Sequence, residues 1–316
     1  MPKKIKVLVY DEGLPETLIQ QIARVSDGVE VTIAKNDAAA LKAVSDAEVV
    51  YGKFSRELFF AAKKLRWVQS KGAGVDFLLF PEFIDSDVVL TNAPIHGTQI
   101  AEMIVAMMLV FMKHLHTFMR YKAERKWQKH VPDDLAGKTV GILGLGTIGT
   151  ETARKAKCLG MKVIALKKHP APKPKYVDEL LGSEGLDWLM RQSDFVAVTV
   201  PLTKETHHLI GEEQLRIMKP SAYVINTSRG AVIDTEALIR ALKKGWIAGA
   251  GLDVFKQEPL QEDSELWKLD NVVMTPHVAG GTPRYDELAI GVFCDNLIRY
   301  VENKPLKNIV DKKAGY

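Results

Sequence analysis

The chain has 316 residues, 47% of them apolar and 26% charged, which suits one large or two medium-sized domains with substantial cores. Its 43 basic and 39 acidic residues are interspersed and leave a net charge of +4, a mild excess that lacks the concentrated basic stripe of a nucleic-acid-binding protein. Two cysteines, Cys158 and Cys294, are too few for a disulfide framework or a cysteine-based zinc site; both read as buried small apolar residues in a reducing compartment.

The basic start, Lys3-Lys4-Ile5-Lys6, leads into an apolar run covering only residues 7–10. A secretory signal needs roughly 7–15 apolar residues and a small-residue cleavage site. The longest apolar stretch, residues 100–112, is interrupted by Glu102 and falls short of the ~18–20 residues that span a bilayer. It reads as a buried core or subunit-contact helix, and the expectation is a soluble, cytoplasmic protein without membrane partners.

In chain order, Ile5–Tyr10 predicts a strand, then a turn at Gly13 and a helix near 14–25. Strands near Val29–Ala34 and 47–51 flank a helix near 38–44, and further strands are expected at 67–70 and 88–91. A long helix is predicted over 103–118, followed by a polar, basic segment at 120–134. Lys138 opens a second series, with strands at Thr139–Leu143, Lys162–Leu166, 195–200, Tyr223–Asn226, Gly249–Leu252 and Val272–Met274, and helices between them. The proline-rich, basic run 168–175 reads as a surface loop, and Tyr285–Val301 as a final helix. Strands alternating with helices predict α/β architecture with parallel sheets. The second unit is inserted before a last helix that can return to the first.

Gly144-Leu145-Gly146-Thr147-Ile148-Gly149 is a G-x-G-x-x-G run between an apolar strand and an amphipathic helix expected at 150–159. Gly144 permits the tight turn, Gly146 lets the backbone approach a pyrophosphate, and Gly149 allows close helix–strand packing. Free N–H groups and the helix dipole then hold phosphates. At the end of the next strand, NAD-specific folds usually place an acid for the ribose 2′-hydroxyl. Here Lys167-Lys168-His169 stands there, with Lys167 18 positions after Gly149 (167 − 149). Ammonium groups attract a 2′-phosphate, so NADP is favoured and NAD remains possible.

Three strand ends carry unusual polar residues: Asn226-Thr227-Ser228-Arg229-Gly230, Gly251-Leu252-Asp253 leading to Glu258-Pro259, and Thr275-Pro276-His277. Strand ends in an open α/β sheet share one crevice, so Arg229, Glu258 and His277 can converge. Reducing a 2-oxo acid needs a bidentate cation for the carboxylate, which Arg supplies, and an acid for the developing alkoxide, which His supplies. A carboxylate bonded to an imidazole fixes its orientation and favours its charged form. Neither a covalent nucleophile nor a metal is required.

These motifs (GILGLGTIG, VINTSRGAVID, GAGLDVFKQEP and TPHVAGGT) resemble, in order and spacing across essentially the whole chain, the D-isomer-specific 2-hydroxyacid dehydrogenases. The resemblance implies two Rossmann-like doubly wound domains, the dinucleotide-binding domain (98–284) inserted into a substrate domain (1–97 plus 285–316). It implies that Arg229 binds the substrate carboxylate, that His277 is the acid/base, and that Glu258 pairs with it. Asp253 resembles the residue that contacts the nicotinamide carboxamide; Val200, Pro201, Thr206, Thr227 and Ser228 complete the expected cofactor set with Gly144, Gly146, Thr147, Ile148, Gly149, Lys167 and Lys168. Lys71, Gly72, Ala73 and Gly74 resemble the loop whose backbone meets the substrate carboxylate. Lys167 departs from the acid most members carry, as in the glyoxylate/hydroxypyruvate reductase branch.

The expected reaction is hydride transfer from NADPH to a small 2-oxo acid such as glyoxylate, hydroxypyruvate or pyruvate. Side-chain specificity is expected from Tyr51, Lys53, Phe54, Phe77 and Trp127. A homodimer is expected, with no regulatory extension beyond the last helix. Formate dehydrogenases pair the histidine with Gln, so Glu258 argues against them; phosphite dehydrogenases keep Arg, Glu and His and remain an alternative. The other alternative is a corepressor-type binding module that senses the cofactor.

Overall fold

The computed structural model describes residues 4–168 and 172–316 and divides into two compact units, residues 1–95 with 282–316 and residues 96–281. Unit one alternates β1 (Ile5–Tyr10), α1 (Glu16–Ala23), β2 (Val29–Ala34), α2 (Asp37–Val44), β3 (Val49–Gly52), α3 (Arg56–Ala61), β4 (Trp67–Gln69), α4 (Pro81–Ile84) and β5 (Val89–Thr91). Unit two contains α5 (Gly97–Met112), α6 (Leu115–Ala123), β6 (Thr139–Leu143), α7 (Thr147–Cys158), β7 (Lys162–Leu166), β8 (Glu179–Leu181), α8 (Leu186–Gln192), β9 (Phe195–Val198), α9 (Glu212–Arg216), β10 (Tyr223–Asn226), α10 (Thr235–Lys244), β11 (Gly249–Leu252) and β12 (Val272–Met274). The last helix, α11 (Tyr285–Val301), belongs to unit one.

Each unit is a parallel sheet covered on both faces, which explains why its strands read as nearly continuous apolar runs. In unit one the order is β2-β1-β3-β4-β5. Successive β1 residues alternate between two cores: Leu8 and Tyr10 pack with α2, α3 and α4 residues, Val7 and Val9 with α1 and α11 residues. Phe293 of α11 packs against Tyr51 and Trp67, with ring centroids 4.7 and 5.3 Å apart. Truncating a buried aromatic of this kind costs about 3–5 kcal/mol. Buried polar groups on these elements satisfy one another: Trp67 Nε1 donates to Thr91 Oγ1 (2.7 Å), Thr91 Oγ1 to Gln69 Oε1 (2.7 Å), and Asn296 Nδ2 to Gln69 Oε1 (3.3 Å).

Unit two's sheet runs β12-β11-β10-β9-β6-β7-β8. Ile104, Met108 and Phe111 of α5 and Ala153 and Ala156 of α7 pack with residues such as Ile142, Phe195 and Ile225. On the opposite face, Leu189, Leu215, Leu238 and Ala241 of α8, α9 and α10 pack with residues such as Leu143, Val196 and Val224. The strand ends are level where it matters: Asn226 pairs with Leu252, and Leu252 with Met274. Residues 227, 253 and 275 therefore leave the sheet side by side.

Four sequence expectations change. The helix expected over 103–118 is two helices, broken where His114 takes a left-handed conformation (φ 51°) that a right-handed helix cannot continue. Cys158 is exposed, because the buried face of α7 is Gly149, Thr152, Ala153 and Ala156, a helical stripe that excludes position 158. The edge strand β8 had no expected counterpart. Tyr51 and Phe54 are buried in unit one's cores, leaving only Lys53, Phe77 and Trp127 of the five expected specificity residues exposed. No described helix is by itself long and apolar enough to cross a membrane.

Candidate active site

The β6–α7 turn has the shape a pyrophosphate needs. Gly144 has φ +99°, and a Cβ there would lie 2.9 Å from Val200 Cγ1. A Cβ on Gly149 would fall 2.0 Å from the Gly144 carbonyl oxygen, so only hydrogen fits where α7 crosses the turn. Gly146, by contrast, faces open space, with no atom within 4 Å of an added Cβ. Thr147 and Ile148 follow in the first turn of α7, where N–H groups have no intrahelical acceptor. Thr199 Oγ1 ties the neighbouring strand end to the turn, donating to the carbonyls of Leu143 (3.0 Å) and Gly144 (2.7 Å). After Val200, the Thr206 hydroxyl closes its own loop, donating to the Pro201 carbonyl (2.6 Å) and accepting from Thr203 N (2.8 Å). The Thr227 hydroxyl is buried without a hydrogen-bond partner among the described residues. An open cradle at Gly146 and an orphaned hydroxyl at Thr227 fit a bound dinucleotide.

Lys167 and Lys168 leave β7. The Lys167 backbone donates to Leu181 O of β8 (3.0 Å), and its ammonium has no ion-pair partner among the described residues. The Lys168 ammonium pairs with Glu205 at 2.5 Å, both side chains well exposed. No sequence motif marks Glu205 for this pairing. His169 lies outside the described residues.

Arg229 stands in a turn built by Asn226. The Asn226 side chain donates to the Arg229 carbonyl (3.0 Å) and accepts from the Ser228 N–H (3.1 Å) and hydroxyl (3.0 Å), while Arg229 Nη1 donates to the Ser228 carbonyl (2.8 Å). The sequence places Asn226 at this polar strand end without assigning it a role, although an Asn followed by two small polar residues is a turn signature. Behind this turn, Asp234 caps α10 by accepting from Glu236 N (3.0 Å) and Ala237 N (3.2 Å).

Glu258 and His277 are in contact, His277 Nδ1 lying 2.6 Å from Glu258 Oε2. A carboxylate can only accept, so Nδ1 carries the proton in this bond. Glu258 is itself fixed, because its Oε1 accepts the Phe255 N–H at 2.9 Å. His277 has φ +52°, a left-handed conformation that costs a non-glycine residue about 1–2 kcal/mol. Strain of this kind is found where a side chain must be aimed.

In unit one, the Lys71 ammonium bonds Asp11 and lies 2.9 Å from Asp286. Burial alone would lower its pKa, but the bonds to Asp11 and Asp286 outweigh that and move it upward, so the lysine stays charged. The Gly72 carbonyl accepts from Ala93 N (3.0 Å) and the Ala73 carbonyl from Asn92 Nδ2 (2.8 Å). The N–H groups of Ala73 and Gly74 have no partner among the described residues.

A parallel sheet with a glycine phosphate turn and a paired histidine and glutamate at its strand ends defines a dinucleotide-dependent oxidoreductase. The family profile described as the D-isomer specific 2-hydroxyacid dehydrogenase NAD-binding domain matches residues 105–279, and the chain belongs to that family. It is 38% identical to a glyoxylate reductase of Thermococcus litoralis, over 84% of this chain and 82% of that one. A glyoxylate reductase of Korarchaeum cryptofilum is 35% identical over 98% and 97%. Among solved structures, the chain is similar to an NADPH-dependent glyoxylate/hydroxypyruvate reductase of Sinorhizobium meliloti in complex with NADP and sulfate (29% identity, TM-score 0.87, 99% of this chain and 100% of that one).

Proposed function

We propose that this 2-hydroxyacid dehydrogenase is an NADPH-preferring reductase of a small 2-oxo acid, with glyoxylate and hydroxypyruvate as the leading substrates. The observation that carries the reading is the 2.6 Å contact between His277 and Glu258 at the end of a sheet whose first turn is a phosphate cradle. The glyoxylate reductases at 35–38% identity support the substrate class. For the cofactor, support comes from Lys167 and Lys168 at the end of β7 and from the NADP held by the similar Sinorhizobium meliloti enzyme.

Bound reduced nicotinamide supplies the hydride for the substrate's C2 carbonyl carbon. The first turn of α7 and Gly146 would hold the pyrophosphate, and Lys167, with Lys168 once released from Glu205, would meet a 2′-phosphate. Thr227, Ser228 and the Val200–Pro201 segment would line the cofactor, and Thr206 shapes the loop that follows Pro201. Arg229 grips the carboxylate with a bidentate fork and so orients the carbonyl. His277 Nε2 gives its proton to the carbonyl oxygen as negative charge develops there, and Glu258 stabilises the charged ring and holds its orientation. Within unit one, the N–H groups of Ala73 and Gly74 have no partner among the described residues and form a small backbone nest of the kind that accepts an anion. The protein acts as a cytoplasmic homodimer.

A panel of glyoxylate, hydroxypyruvate, pyruvate and bulkier 2-oxo acids, each with NADPH and NADH, tests this reading. NADPH oxidation with glyoxylate or hydroxypyruvate is the expected result. No oxidation with any 2-oxo acid would favour a binding module or phosphite oxidation.

A further inference from the structure

The strained backbone of His277 needs a restraint, and the structure supplies one in the residue that follows β11. Asp253 is 1% exposed, and both of its carboxylate oxygens are engaged by a single loop. Oδ1 accepts from the Thr275 hydroxyl (2.6 Å) and from Val278 N (2.9 Å), while Oδ2 accepts from Ala279 N (3.0 Å). The backbone takes part as well, because the Asp253 carbonyl accepts from His277 N (2.8 Å). Donors from residues 275, 277, 278 and 279 therefore all converge on one residue, on both sides of the left-handed His277.

The same residue reaches the other half of the site. Asp253 N donates to the Asn226 carbonyl at 2.9 Å, and it is the Asn226 side chain that shapes the Arg229 turn. A buried carboxylate is costly unless its lone pairs are met, and here three of about four acceptor positions are filled by the loop. An apolar residue of the same size would leave the Val278 and Ala279 N–H groups unsatisfied and remove the side-chain hold on the loop, while the backbone bond from His277 N would remain.

We propose that Asp253 is a positioning residue, whose carboxylate and backbone hold the Thr275–Ala279 loop so that His277 meets Glu258 on one side and the substrate carbonyl on the other. This rests on the reductase reading above and differs from the cofactor contact that the sequence resemblance implies for Asp253. The distinction matters because the two roles fail differently. A cofactor contact shows in NADPH affinity, whereas a brace shows in kcat and in the protection of the loop amides.

The test compares the unmodified protein with Asp253→Asn, which keeps the shape but turns one oxygen into a donor facing donors, and with Thr275→Val and Thr275→Ser. Hydrogen exchange of the 275–281 segment is measured by mass spectrometry, the NADPH dissociation constant by fluorescence without substrate, and kcat and KM with glyoxylate. Asp253→Asn is expected to speed exchange at residues 277–279 at least about tenfold and to cut kcat about 10²-fold, the scale of a misplaced catalytic group. NADPH affinity should move less than about threefold, since a cofactor contact would show there first. Thr275→Val should act in the same direction more weakly, and Thr275→Ser should restore most of the loss. The threonine pair also decides the matter if Asp253→Asn does not fold. An NADPH affinity loss above about tenfold with unchanged exchange would make Asp253 a cofactor contact and overturn the proposal. Faster exchange with full kcat would overturn it as well. If the unmodified protein reduces no 2-oxo acid, the functional reading fails on its own, while the exchange data still report whether Asp253 restrains the loop.

Discussion

His277 Nδ1 lies 2.6 Å from Glu258 Oε2, and the other oxygen of that carboxylate is pinned by the Phe255 N–H at 2.9 Å. The glutamate therefore cannot swing away from the ring without giving up a second hydrogen bond. Its side chain is about one-third exposed and that of the histidine about half, so the pair is open to solvent and to a substrate while its geometry is fixed.

For His277→Ala, turnover is expected to fall by ~10²–10⁴, the usual worth of general acid catalysis, with NADPH binding intact. Glu258→Gln preserves the shape but replaces a charge-assisted bond by a neutral one, a difference of about 1–1.5 kcal/mol, so a loss of roughly tenfold in kcat is expected. Steady-state kinetics beside a fluorescence titration of NADPH separates chemistry from binding. Near-normal turnover in His277→Ala would remove it from the acid/base role.

Arg229→Lys keeps the charge but loses the planar fork. A carboxylate clamp, the role proposed for Arg229, also orients the carbonyl, so kcat/KM for glyoxylate is expected to drop by well over tenfold. A drop under about threefold would correspond to a surface change and count against Arg229.

The proposed NADPH preference rests on two lysines that the structure treats differently. Lys168 is held by Glu205, whereas the Lys167 ammonium has no ion-pair partner among the described residues. A charge-assisted contact contributes about 1.5–3 kcal/mol, so kcat/KM is expected to favour NADPH over NADH by at least about tenfold. Added salt should shrink that ratio. Lys167→Asp combined with Lys168→Ala should weaken NADPH use and shift the balance toward NADH. Equal use of both cofactors by the unmodified protein would assign these lysines to the solvent.

Leu115, Met119, Trp127 and Val131 expose apolar side chains along and just after α6, a helix with no buried residue. Exposed apolar groups concentrated in one short segment mark an interaction surface. A two-fold homodimer is expected by light scattering at micromolar concentration. Met119→Glu with Trp127→Glu should shift it toward monomer; a monomeric unmodified protein would refute the assignment.

Burial raises the Cys294 thiol from 9.0 to about 11. The folded protein therefore keeps a proton that the unfolded chain loses between these values, so stability falls as pH rises from about 9 to about 11. Two units correspond to about 2–3 kcal/mol. Urea unfolding across this range should show a steeper decline for the unmodified protein than for Cys294→Ala. Ellman's reagent should modify exposed Cys158 readily and leave Cys294 untouched in the folded state.

The parallel strands were legible because both faces of each sheet are covered. β10, β11 and β12 match the expected runs residue for residue; β10 and β11 are interior strands buried almost throughout and so mostly small or apolar, while β12 is a partly buried apolar edge strand. The glycine turn was legible because its requirements are steric and local: Gly144 has a positive φ, and Gly149 has no room for a Cβ. The break at His114 was not, as no Gly or Pro marks the left-handed residue there. Tyr51 also misled. A tyrosine beside a predicted strand end can face substrate or core, and packing against Phe293 places it in the core.

By itself the sequence determined the two α/β series, the phosphate turn and the candidate trio of Arg229, Glu258 and His277, all set by local sterics or by residue chemistry. Only the tertiary structure decided which groups Asp253 and Asn226 bond. Asn226, Leu252 and Met274 end neighbouring strands at one level, although 26 residues separate the first two (252 − 226) and 22 the next two (274 − 252). That alignment comes from parallel hydrogen bonding and from the cores on either side. No spacing along the chain encodes it, because loops between parallel strands tolerate changes in length while the register of the sheet does not.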